Sequence, residues 1–179
     1  MKSFDKGILK VQKQFMVEES ASQLFTERLI LKEFAFLFFP SSSLDIKANL
    51  LLTRQMEKYS KVSSDINTLS KIDFTNEISF IRFINAKYSP NAKFMHIVDF
   101  CKSVAAKIAS ENVSAGADEI FPALLLAISN GKPELLLANI TYIERHAYKP
   151  DDGQTIYWYT QFCMAVEFLR EYDFRSLSE

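Results

Sequence analysis

The sequence predicts an all-α fold, a layered array of helices preceded by an N-terminal helical hairpin. Only four glycines and five prolines punctuate 179 residues. Apolar residues recur at helical spacing in runs separated by short polar clusters, the pattern of helices joined by tight connections. With 48% apolar and 24% charged residues, the chain has the balance of one that buries a sizeable core. The length fits one compact domain, read as an N-terminal helical layer over residues 1–43 packed on a core over residues 44–179.

The first run, residues 6–18, is amphipathic. The second, residues 22–39, ends at Pro40, because proline cannot continue a helix and restricts its predecessor. Ser41, Ser42 and Ser43 supply hydroxyls to cap a third helix over 44–59, with Asp45 favourable in its first turn. Polar residues 60–70 end it. Asp73, Phe74, Thr75 and Asn76 offer caps for a helix over 77–88 with a buried stripe of Ile78, Ile81, Phe83 and Ile84. Ser89-Pro90 is the clearest helix start, since serine caps and proline at the first position gives up an N–H that had no partner. That helix runs to about Ser110. Residues 120–128 are apolar at every position but Pro122, which marks them as the central buried element. Gly131 closes it. Pro133-Glu134 opens a helix to His146, Lys149 to Gly153 reads as a turn, and residues 157–172 form the last helix.

Composition excludes several functions. With 21 basic against 22 acidic residues and a net charge of −1, the chain lacks the footprint that neutralising many phosphates requires, which argues against nucleic-acid binding. Cys101 and Cys163 lie in apolar helical runs, as reduced thiols of a cytoplasmic protein do. No run approaches the length of a membrane span; the densest N-terminal candidate, residues 34–39, stops at Pro40. Met1 to Asp5 carry no signal-peptide pattern. His96 and His146 lack metal-ligand spacing, no phosphate-cradling glycine loop occurs, and neither cysteine has a His/Asn arrangement around it. The expectation is therefore no metal, no cofactor and no covalent chemistry.

The residues that speak to function lie between Gly116 and Thr160. Asp118 stands at the mouth of the buried helix, where a carboxylate either caps free N–H groups or is presented to a partner. Pro122, read as a first-turn proline, stiffens that presentation. Tyr157, Trp158, Tyr159 and Thr160 are consecutive at a helix start and cover its whole circumference, so some of them face solvent or a partner. Asn139 is polar in an apolar run, which calls for a hydrogen bond that positions a loop or a partner backbone.

These segments resemble the vacuolar-protein-sorting-nine (Vps-nine) domain family. Its pattern pairs an acidic residue with a proline four positions on, here Asp118 and Pro122. It continues with an Asn-Ile-x-Tyr-Ile segment, here Asn139 to Ile143, and a Gly-Glu-x-x-Tyr-Tyr-x-Thr segment, here Gly153 to Thr160. Ser89 to Lys93 also looks like the family's sequence. Two departures stand out: Gln154 replaces a glutamate and Trp158 the second tyrosine. The resemblance implies a guanine-nucleotide exchange factor for a Rab-five-type small GTPase, cytoplasmic and peripheral to endosomal membranes, recruited there through the GTPase or other segments. It implies Asp118 and Tyr157 as the exchange residues, and Phe121, Pro122, Asn139, Trp158 and Thr160 as the GTPase-binding groove. An alternative is a non-catalytic Rab-binding adaptor; a structural helical module, in which Asp118 is a cap and Tyr157 a core residue, is a third.

Overall fold

A computed structural model describes residues 43–66, 69, 72–111, 117–148 and 150–172. The hairpin expected over residues 6–39, and with it all but the last residue of the N-terminal layer, lies outside the described residues. Among the described residues there are six α-helices, α1 (Ser43–Ile66), α2 (Thr75–Arg82), α3 (Pro90–Ser110), α4 (Ala117–Gly131), α5 (Leu136–His146) and α6 (Gly153–Glu171), with a 3-10 turn (Phe83–Ala86) after α2. Among the described residues there is no strand, and the fold class is all-α. Nor, among them, is any single helix long and apolar enough to cross a membrane.

Helix α1 runs past the expected stop at Tyr59 to Ile66. Residues 60–66 are mostly polar but contain neither glycine nor proline, so nothing breaks the backbone pattern. Helix α2 is shorter than expected. It ends at Arg82 and tightens into the 3-10 turn, because Pro90 holds Ser89 extended (φ −80°, ψ 147°) and the chain must turn back onto α3 before reaching it. Ile81 and Ile84 fill the buried face three residues apart, and Phe83, expected in the same stripe, is 64% exposed. Helix α3 starts as read, with Ser89 Oγ accepting from the Ala92 N–H at 3.1 Å and Pro90 leading the first turn.

Helix α4 is the central element, packed against α1, α2, α3 and α6. Every residue from Ala123 to Ser129 is buried, as its unbroken apolar run demands. At its end Gly131 lets α2 come close: a Cβ there would lie 2.7 Å from Ile81 Cγ2. Two corrections follow in the connections. Helix α5 begins at Leu136 rather than at Pro133, because Lys132 (φ 46°) and Leu135 (φ 53°) both take left-handed backbone. Side chains hold that turn: Asn85 Nδ2 donates to the Glu134 carbonyl at 3.0 Å and Asn139 Nδ2 to the Leu135 carbonyl at 2.9 Å. Helix α6 begins four residues before the expected start, since Asp152 accepts from the Gln154 and Thr155 N–H groups, each at 3.2 Å, and caps it at Gly153. Rings then lock α6 to α3, Phe94 on Tyr159 at 4.8 Å and Phe100 on Phe162 at 5.9 Å.

Candidate functional site

The early start of α6 moves the aromatic cluster from a helix start into its second turn, and the periodicity sorts its members. Tyr159 is 5% exposed and belongs to the core, whereas Tyr157 is 40% exposed. Thr160 is exposed beside it, and Trp158 packs partly against the core. Tyr157, Met164 and Phe168 are spaced by seven and four residues, so one face of α6 carries a strip of exposed apolar side chains. Exposed apolar surface grouped in this way marks an interaction site more often than scattered leucines do.

Helix α4 supplies the other wall. Phe121 meets Phe168 edge-on at 6.1 Å and 83°. Phe121, Met164, Phe168 and Tyr172, with Glu167 and Glu171, line an open groove of about 500 Å³. Arg170 bridges the two glutamates of the rim, at 2.5 Å to Glu167 and 3.5 Å to Glu171. Loss of water lifts the Glu167 carboxyl above the ordinary range, against the pull of Arg170.

Asp118 is the second helical residue of α4, one turn before Phe121 and Pro122, and not a cap outside it. Pro122 lies inside the helix rather than in its first turn. Proline has no N–H, so the Asp118 carbonyl loses its usual donor four residues on.

Asn139 stands apart from the groove. It is wholly buried at the start of α5, and every polar atom of its amide is engaged. Its Oδ1 accepts from Lys93 Nζ at 2.6 Å, and its Nδ2 donates to Asn85 Oδ1 at 2.8 Å and to the Leu135 carbonyl at 2.9 Å. Lys93 Nζ also donates to the Ile84 carbonyl at 3.0 Å. Burial lowers the Lys93 pKa to about 8, because the charged ammonium loses its water. This hub ties the 3-10 turn, α3 and α5 together.

Sequence reasoning missed Met164, Phe168 and Tyr172, although their spacing from Tyr157 was there to be read as one helical face. It also passed over Lys93, which shares the buried face of α3 with Phe94 and Ile97. A lysine on an apolar stripe was the signal that a buried acceptor waited for it.

The chain belongs to the Vacuolar sorting protein 9 (VPS9) domain family, whose profile matches residues 75–174, more than half of the chain. It is 28% identical over 165 residues to a GTPase-activating protein and VPS9 domain-containing protein 1 from Bos taurus, covering 86% of this chain and 12% of that protein. It is 26% identical to vacuolar protein sorting-associated protein 9A from Arabidopsis thaliana, with 85% of this chain and 32% of that protein covered. To the Homo sapiens Rab5 GDP/GTP exchange factor it is 27% identical, over 81% of this chain and 32% of that protein. The chain thus spans from about an eighth to about a third of the length of these relatives.

Proposed function

We propose that this chain accelerates GDP release from a small GTPase of the Rab-five subfamily, with Asp118 and Tyr157 as the residues that act on the partner. The observation that carries the reading is the groove between α4 and α6, where Met164 and Phe168 stand exposed along one wall and Phe121 forms the other, with Tyr157 exposed further along the same face of α6. Family membership and the exchange-factor relatives support it.

A GTPase holds its nucleotide through a glycine-rich loop, a lysine and a magnesium ion bridging the phosphates. The Asp118 carboxylate, brought beside that site from the start of α4, competes for the lysine and repels both the β-phosphate and the ligands of the magnesium. Two unit charges about 4 Å apart interact by roughly 4 kcal/mol at an effective dielectric near 20. That is about a thousandfold in rate before screening. Tyr157 and Thr160 hold the displaced switch segment, and Phe121, Pro122 and Trp158 give it apolar contact. Asn139 positions the start of α5 rather than touching the partner. The site performs displacement, not bond making. On this reading the chain works at the surface of endosomal membranes, brought there by its GTPase or by other segments.

The test is release of fluorescent GDP from a panel of Rab GTPases. Wild type accelerates release from at least one member of the Rab-five subfamily, and folded Asp118→Ala and Tyr157→Ala variants lose the acceleration. A wild-type chain inert on the whole panel overturns the reading. Binding that survives Asp118→Ala, with no acceleration by wild type, establishes an adaptor instead.

A further inference from the structure

We propose that Trp158 selects the partner: its indole N–H donates to an acceptor oxygen on the bound GTPase, and partners offering such an oxygen at that point are preferred. This rests on the exchange reading above and extends it to the choice of GTPase.

Trp158 follows Tyr157 on α6, and the two rings meet edge-on at 5.1 Å and 69°. The indole packs against the core with part of its surface in solvent. Its Nε1 is enclosed, and among the described residues no acceptor lies within hydrogen-bond reach of it. Folded proteins pair nearly all their enclosed polar groups, because an N–H removed from water without a partner destabilises the fold. An unpaired one beside a binding strip calls for a role.

The chemistry of the indole narrows that role. A tyrosine hydroxyl, which the family's sequence pattern has at this position, both donates and accepts; an indole N–H only donates. The group that meets Trp158 must therefore be an acceptor: a main-chain carbonyl, a side-chain amide oxygen or a carboxylate. For the enclosed N–H to meet a partner, the part-exposed ring has to turn about its Cα–Cβ and Cβ–Cγ bonds as the complex forms. Binding then satisfies a donor that the free protein leaves unsatisfied. A GTPase presenting a donor or an apolar group there leaves the N–H unpaired and binds less well, which is how a polar site discriminates.

The chain contains a single tryptophan, so its ¹⁵N-labelled indole gives one resonance that needs no mutation to assign. Labelled wild-type chain is titrated with unlabelled, nucleotide-free GTPase. The indole proton is expected to move downfield as the complex forms. In parallel, Trp158→Phe keeps an aromatic ring and removes the donor. Its denaturation midpoint is expected at or above that of wild type, and its affinity for the nucleotide-free GTPase about tenfold lower. A complex that forms with the indole resonance unmoved, or a Trp158→Phe variant that binds as tightly as wild type, overturns this proposal and leaves the exchange reading standing. A wild-type chain that binds no GTPase of the panel overturns both.

Discussion

Lys93 is buried among apolar side chains of α3, with its ammonium on the Asn139 amide oxygen and the Ile84 carbonyl. Its pKa falls to about 8 from 10.5, so the unfolded chain holds the proton more tightly across that window. Stability therefore rises with pH from about 8 to 10.5, and the gain is absent below about 8, where both states hold the proton. The contribution is on the order of 3 kcal/mol across the window. Urea midpoints measured along the pH axis should show that rise in wild type, and Lys93→Met should flatten it. Asn139→Ala removes the other half of the hub and takes one partner each from the Lys93 ammonium and the Asn85 side-chain amide oxygen. Equilibrium denaturation should show a loss of about 2–4 kcal/mol, well above a typical exposed substitution. The need of Asn139 for a hydrogen bond was readable from its apolar surroundings in the sequence. Its partner was not, because Lys93 lies 46 residues away and only the folding back of α3 on α5 joins them.

The helices followed from local chemistry where a capping residue or a proline fixed the boundary, and drifted where tertiary contacts set it. Ser89-Pro90 fixed the start of α3 because both effects are contained in two residues; Ser89→Ala should cost about 1 kcal/mol of stability. The start of α6 was misplaced because Asp152 looked like a turn residue, and only its geometry reveals that its carboxylate reaches the N–H groups of Gln154 and Thr155. The turn between α4 and α5 was misread for a third reason. Left-handed backbone at Lys132 and Leu135 is unfavourable for those residues, and the surrounding side chains impose it. Lys132→Gly should relieve that strain and raise stability by about 1 kcal/mol in thermal or chemical denaturation, its exposed pairing with Glu57 at 3.9 Å being too weak to matter. Gly131→Ala should do the reverse. The added methyl meets the wholly buried Ile81, and the expected cost is about 1–2 kcal/mol after allowing for the better helix propensity of alanine.

The described helices form a scaffold in which α4 is held on several sides, while α6, locked to α3 by ring pairs, carries a strip of exposed side chains. On the proposed exchange reading that support matters, since a carboxylate brought against a bound nucleotide acts best from an element held in place by its neighbours. The all-α class and the central place of α4 could be read from the apolar run at residues 120–128. The groove could not, since its walls come from two helices whose adjacency no local pattern encodes. The central claim is that the charge of Asp118 drives nucleotide release, and the most direct measurement is the GDP-release rate of a responsive GTPase with wild type and with Asp118→Asn, which keeps size and removes charge. The account predicts a fall in acceleration of about a hundredfold or more with an unchanged thermal midpoint. Acceleration undiminished in a folded Asp118→Asn variant would contradict it.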